Sequence, residues 1–436
     1  MTSAVETLRA PGLLTAAASE ALGREVRDRG RLAELRAEGL TAATRKGMPT
    51  TNERPWKYMD VSKLAIEDYR PGVAATTDAA DLRARYPLTG GHAAQALQHN
   101  GETLSAETSG EGVVVVDFER ASGKQREEVE RRLGTGVPAT RNRFTALHYA
   151  FMRGGLLVDV AANAESKGPV RITRVLEAPG QLAAPHTLIV SGANSRVSVI
   201  EDYRSNDEDM IILPAVEIVP GPGSEVRYTS LHRWGKRTRV FSEQRTVTQK
   251  DSAVISLSLA TGGQVVKGHI ESSLEGRGSS SELFGLFLGG DHQHIDFYTI
   301  QDHIGADTRS DLLFKAALKG ESRAVYYGLT RVGLGARNAD ANQVNRNLLL
   351  SRDAKADSDP VLEILTNDVI RVSHGATAGP VDEEQLYYLQ TRGLDRPAAE
   401  ALLVRAFLSQ VLDRVPDEAL RDELAAALEA KLEGAA

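Results

Sequence analysis

From about residue 147 to residue 370 apolar and polar residues alternate with a period of two, the pattern of strands with one buried face. Strand-sized units recur: Arg196-Val197-Ser198-Val199, Glu225-Val226-Arg227-Tyr228, Ala253-Val254-Ile255-Ser256-Leu257, Glu282-Leu283-Phe284-Gly285-Leu286 and Asp311-Leu312-Leu313-Phe314. Their second positions, 197, 226, 254, 283 and 312, step by 29, 28, 29 and 29. A second series, Leu188 and Val216, is spaced by 28. Near-constant spacing of similar units predicts a solenoid, in which a coil buries its apolar face only by stacking on its neighbours. Small or polar residues precede several units (Ala193-Asn194-Ser195, Gly223-Ser224, Asp251-Ser252, Ser279-Ser280-Ser281), as tight corners require. No helical pattern of 10 to 15 residues separates the strands, which argues against a wound α/β sheet. A parallel β-helix fits best, although periodicity alone leaves a β-sandwich open.

The flanks read differently. Residues 1–47 are rich in Ala, Leu, Glu and Arg, with Leu32, Leu35 and Leu40 among charged residues, an amphipathic helical hairpin. Trp56, in the segment after Pro49, is expected to pack against the next domain. In the irregular stretch 72–145, Val113 to Val116 read as a buried strand and 124–132 as a solvated helix; how the stretch folds as a whole is left open. At the other end Asp382 and Asp395 are placed to cap helices, with Gly393 ending the first and Pro397 in the first turn of the second. An apolar stripe of Leu403, Phe407 and Val411 or Leu412, followed by Leu420, Leu424 and Leu428, makes a poor core alone, so it should dock on the β body or on a partner. The division expected is a helical or mixed N-terminal domain (1–145), a β-helix (146–380) and a C-terminal helical domain (381–436).

At 436 residues the chain has ample length for a core, in several domains or one elongated body. Its net charge of -7 argues against a nucleic-acid surface or a polybasic membrane anchor. With no cysteine, disulfides, thiolate metal ligands and thiol nucleophiles are excluded from this chain. The apolar run 11–19 resembles part of a signal peptide, but Glu6 before it and Glu20 and Glu25 after it fit an ordinary helix. No apolar run approaches the ~20 residues that span a bilayer, and a cytoplasmic protein is the plain reading.

Four segments carry a resemblance. Asn52-Glu53-Arg54-Pro55-Trp56-Lys57-Tyr58-Met59-Asp60, Gln293-His294-Ile295-Asp296 with Thr299 and His303, Gln343-Val344-Asn345-Arg346-Asn347-Leu348-Leu349-Leu350-Ser351 with Ser373-His374-Gly375-Ala376-Thr377, and Asp382-Glu383-Glu384-Gln385-Leu386-Tyr387-Tyr388-Leu389-Gln390-Thr391-Arg392-Gly393 are similar, in order, to motifs of the SufB/SufD family of iron-sulfur cluster assembly scaffolds. Ser-His-Gly and the absence of cysteine place the chain on the SufD side; Val372 stands where many such proteins carry a cysteine. The resemblance implies a right-handed parallel β-helix flanked by helical domains, and a non-enzymatic subunit of a SufBCD complex. It further implies pairing with SufB through the β-helix, and docking of the SufC ATPase on C-terminal helices around Asp382, Glu383, Gln385, Tyr388, Arg392 and Phe407.

His374 is the first candidate for chemistry. Taken alone, it reads first as a structural ring hydrogen-bonded across a Gly-flanked turn. The resemblance implies instead an iron or cluster ligand at the SufB interface, a role that neutral imidazole, with a pKa of ~6.5, suits. No tightly bound cofactor is expected in isolation, only transient iron or an iron-sulfur cluster in the complex. His292, His294 and His303, with Asp296, have metal-ligand types, and strand alternation would put His292 and His294 on one face; the competing reading has His294 and His303 bonded to backbone at coil corners. Asn345-Arg346-Asn347 reads as a buried polar ladder. No GxxxxGK[ST] is present, so ATP hydrolysis is assigned to a partner. Two rival readings are a structural β-helix homodimer without a metal role and a carbohydrate-acting β-helix enzyme.

Overall fold

The structure, a computed structural model, describes residues 13–87, 91–108 and 110–432. Of the run 11–19, residues 16–19 are helical, in the helix that starts at Ala16, whereas Glu6 and residues 11–12 lie outside the described residues. Strand makes up 41% and helix 23%, arranged as a β-solenoid of about eight turns with helices at both ends. Successive strands alternate between two parallel sheets. One ends in the order Ala253–Ala260, Ser280–Gly289, Arg309–Leu318, Ala339–Leu349, Val369–Pro380; the other in Val265–Leu274, His294–His303, Arg323–Val332, Lys355–Ile364.

The repeat has a local cause at one corner. Asn163, Asn194, Gly223, Asp251, Gly278, Asp307 and Asn338 all have positive φ, between 54° and 73°. Gly, Asn and Asp tolerate this left-handed turn better than other residues. A Ser or Thr often follows and returns a hydrogen bond to the carbonyl three residues back: Ser195 to Gly192 at 2.8 Å, Ser224 to Gly221 at 2.7 Å, Ser252 to Gln249 at 2.8 Å. Each corner thus satisfies an acceptor as the chain leaves one sheet for the other.

Register departs from the sequence spacing in two places. Val254 pairs with Ser281 rather than Leu283, so that coil is two residues shorter than the spacing implied, with the same face inward. Val216 pairs with Thr187, not Leu188. A one-residue offset flips a side chain to the other face, and Leu188 accordingly packs outward against the N-terminal helices, with Leu35, Leu133 and Tyr149. Inside, aromatic and small residues alternate between coils. A Cβ on Gly285 would meet the Phe314 ring at 2.5 Å, so only glycine leaves room for that ring.

The N-terminal helices are α1 (Ala16–Glu25), α2 (Arg31–Arg45), α3 (Ala79–Arg85), α4 (Gly123–Arg132) and α5 (Arg143–Ala150). The sheets begin upstream of residue 146: Ala94–His99 pairs in parallel with Val170–Leu176, and Val113–Asp117 pairs antiparallel with Gly155–Val160. Those pairings join segments far apart in sequence, which a local pattern does not reveal. The C-terminal helices are α6 (Glu383–Thr391), α7 (Arg396–Leu412) and α8 (Glu418–Leu432). Asp382 accepts from Glu384 N at 2.9 Å and Asp395 from Ala398 N at 2.9 Å, capping α6 and α7. The buried stripe of α7 is Val404, Leu408, Val411 and Leu412, which joins Leu420, Leu424 and Leu428 of α8 against Ile200, Leu231, Leu257 and Leu286 of the solenoid. Leu403 instead meets Leu386 and Ala399, closing α7 on α6.

Candidate functional site

The solenoid ends in two strands, Lys355–Ile364 and Val369–Pro380, each paired with a neighbour on one side only. An open parallel edge presents unpaired N–H and C=O groups, a template for another strand. Around this end Ile364, Leu365 and Ile370 are exposed, at 44%, 51% and 63%. Apolar exposure beside two open edges is the surface that edge-to-edge pairing requires.

His374 lies on this last strand. Its register partner is Gln343, and alternation places His374 on the lumen side with buried Gln343, Asn345 and Asn347. Nothing stacks above it, so the imidazole is exposed although it faces the lumen. The floor beneath is tied down. Gln343 Nε2 donates to Gly328 O at 3.1 Å and its Oε1 accepts from Thr330 Oγ1 at 2.9 Å. Asn345 donates to Phe314 O at 3.2 Å, and its Oδ1 accepts from Asn347 Nδ2 at 2.7 Å and Ser358 Oγ at 2.5 Å. The polar ladder read from the sequence is therefore formed by Asn345 and Asn347, while Arg346 projects outward and is exposed. Val372 packs against Val332, Ala336 and Ala339.

The other candidate histidines, His292, His294 and His303, do not form one cluster. His294 and His303 occupy opposite ends of a ten-residue strand, about 30 Å apart at ~3.3 Å per residue. His303 is fully buried and bonded through Nδ1 to Thr308 Oγ1 and through Nε2 to Ser310 Oγ, both at 2.8 Å. Burial pushes its pKa down to about 4. His294 is largely covered, and burial lowers its pKa. His292 falls in the turn before the strand, not on the strand face, and meets Glu321 at 3.4 Å in the open. Among the described residues no three His, Cys, Asp or Glu side chains form a group that could hold a metal ion. A metal ion at His374 would find one imidazole donor and no ligand group of three among the described residues.

The remaining motif residues tie the body together. Gln293 donates to Gly263 O at 2.8 Å, linking neighbouring corners. Asp296 pairs with buried Lys267 at 2.9 Å, whose ammonium lies 5.0 Å from the Trp56 ring centre. Trp56 is buried and stacks on Phe144 at 5.1 Å. Its segment continues to the last coil, where Lys57 and Tyr58 reach Asp359 at 3.0 and 2.9 Å. This strap braces an edge strand, a contact across 301 residues that no local pattern could disclose.

At the C-terminus Glu383, Gln385, Tyr388 and Arg392 are exposed. Glu383 pairs with Arg396 at 2.7 Å, and the Tyr388 hydroxyl accepts from Arg392 at 3.2 Å. Tyr387 and Tyr388 are 70% and 56% exposed, with Leu402 at 42%. Phe407 is half-buried, with the Lys315 ammonium 4.2 Å from its ring centre and bonded to its carbonyl at 2.5 Å. Burial lowers the Lys315 pKa to about 8.

The chain is thus a two-sheet parallel solenoid with an open last coil, a lumen-facing histidine and a docked helical end. The family described as "SUF system FeS cluster assembly, SufBD core domain" matches residues 174–407, and the chain belongs to that family. It is similar to the iron-sulfur cluster assembly protein SufD of Bacillus subtilis, 28% identical over 76% of each chain. A SufBD family protein of Mycobacterium tuberculosis is 28% identical over 92% of this chain and 97% of its own. A chloroplastic family member of Arabidopsis thaliana is 27% identical over 74% of this chain and 59% of its own. The chain is a SufD-like iron-sulfur cluster assembly protein by homology. No helix among the described residues is long and apolar enough to cross a membrane.

Proposed function

We propose that this chain is the SufD-type subunit of a cytoplasmic SufBCD complex, a non-catalytic scaffold that supports iron acquisition and cluster formation with SufB and SufC. The observation that carries the reading is His374, exposed on the lumen face of a strand whose outer edge is open. An imidazole there lends one nitrogen lone pair to iron. A cysteine-free chain leaves the sulfur donors to the neighbour that completes the edge. Iron and the nascent cluster are cargo held between subunits. SufC docks on α6 and α7, where Tyr387 and Tyr388 offer apolar rings with polar tips. ATP-driven association of two SufC subunits then strains the helical ends and opens the junction around His374.

Anaerobic cluster loading of the chain assembled with SufB and SufC tests this. His374→Ala should assemble normally, since the ring packs under nothing, yet load cluster at least tenfold less, read by visible absorbance and iron content. Loading of the variant at the wild-type level would remove the metal role and leave the structural homodimer, which the same open edges favour.

A further inference from the structure

On the outer face of the Val369–Pro380 sheet, toward its N-terminal end and under α8, three arginines crowd together. Arg204 and Arg233 are direct register partners on adjacent parallel strands, ~4.8 Å apart in the pairing direction. Arg171 lies one strand further. Like charges opposite each other destabilise a sheet unless they are countered, and the counterions here fall short. Glu423 of α8 meets Arg171 at 3.0 Å and Arg233 at 2.8 Å. Asp202 meets Arg204 at 2.7 Å and Arg233 at 3.6 Å. Three guanidiniums against two carboxylates leave one positive charge. The Nε atoms of Arg171 and Arg233 and Oδ1 of Asp202 are buried and make no hydrogen bond; Arg233 Nε and Asp202 Oδ1 face each other only at the 3.6 Å of an ion pair.

The three side chains line a cavity of about 140 Å³ walled on one side by Tyr86, whose ring Arg204 covers at 4.8 Å. That exceeds the ~30 Å³ share of one water and has room for a tetrahedral ion with accompanying water. Guanidinium forks match the oxygens of such an ion, and an anion held by three of them is bound by charge-assisted bonds.

We propose that Arg171, Arg204 and Arg233 form a binding site for a phosphate group. The site lies on the outer sheet face, away from the open edge and His374, and does not depend on the cluster-assembly reading. Glu423 shares its guanidiniums with the bound anion, so the occupant competes with the contact that holds α8.

Titration calorimetry of the full chain with sodium phosphate, ionic strength matched with sodium chloride, tests the site. Saturable binding is expected in the wild type. R204Q, which changes a rim side chain, should weaken it at least tenfold, and E423Q, which removes a competing carboxylate, should tighten it several-fold. Glycerol 3-phosphate in a parallel titration distinguishes sources: tighter binding assigns the pocket to a phosphorylated metabolite, weaker binding to free phosphate. No saturable heat at tens of millimolar phosphate, or equal affinity in wild type and R204Q, overturns the proposal. Should E423Q loosen α8 and lose binding, the R204Q comparison alone decides.

Discussion

Gly375 separates the needs of the folded chain from those of a partner. It sits beside His374 on the outer face of the last strand, and a Cβ built there meets nothing within 4 Å. Its φ is not in the positive range that glycine alone favours. Gly375→Arg therefore costs the isolated chain little, within the ~0.5 kcal/mol typical of open surface changes. An edge partner meets a different surface. Val369–Pro380 and Lys355–Ile364 offer 12 and 10 residues of unpaired edge. About half the residues of a strand turn their hydrogen-bonding groups to each side, and each bond gains a net ~0.5–1.5 kcal/mol. A charged side chain on such an edge is a natural block to pairing. Its desolvation against the incoming strand costs on the order of 2 kcal/mol, roughly 30-fold in affinity. The assay is sedimentation velocity of the chain alone and with SufB, the partner proposed above, alongside a urea melt of the chain alone. The expected outcome is an unchanged melt with association weakened about 30-fold. Wild-type association in G375R would refute the assignment of this edge as the interface, and a melt lowered by more than ~1 kcal/mol would refute the claim that the fold ignores this position.

Leu424→Ala removes a fully buried side chain between α8 and the solenoid, a loss of ~2–5 kcal/mol; limited proteolysis near 416 should accelerate if α8 is held by this contact, and a digest unchanged from wild type would contradict it. His303 is held neutral, with a pKa of about 4 against ~6.5 unfolded. The unfolded chain binds the extra proton between those values, so this contribution is whole above pH 6.5 and is lost as pH falls toward 4, by on the order of 3 kcal/mol. His303→Asn should flatten that part of the stability profile, measured by urea melts at stepped pH. Trp56→Ala, which empties the stack on Phe144, should cost ~3–5 kcal/mol; a loss below 1 kcal/mol would show that the strap is held elsewhere.

Local pattern carried the class of the fold because a solenoid repeats one local rule. A positive-φ residue, then in several coils a Ser or Thr bonding back three positions, then an alternating strand, is visible in 194–199, 223–228 and 251–257 without knowing what lies alongside. The helix caps at Asp382 and Asp395 were legible for the same reason: donor and acceptor lie two or three residues apart. Register was less so, since a coil of 27 residues and one of 29 bury the same face and differ only in which neighbours they meet. The stripe of α7 shifted from Leu403 and Phe407 to Val404 and Leu408 because the helix serves two surfaces, the sheet and α6.

The sequence by itself determined the stacked coils, the helical ends, the lack of any thiol and the presence of a histidine near the close of the β region. Only the tertiary structure decided that His374 looks into the lumen from an uncovered coil, that His294 and His303 stand at opposite ends of one strand, and that Arg204 and Arg233 lie side by side. Alternation and corner chemistry act between near neighbours in the chain. Which coil is last, which face a helix covers and which charges meet are set by contacts across tens to hundreds of residues, where spacing along the chain no longer measures distance.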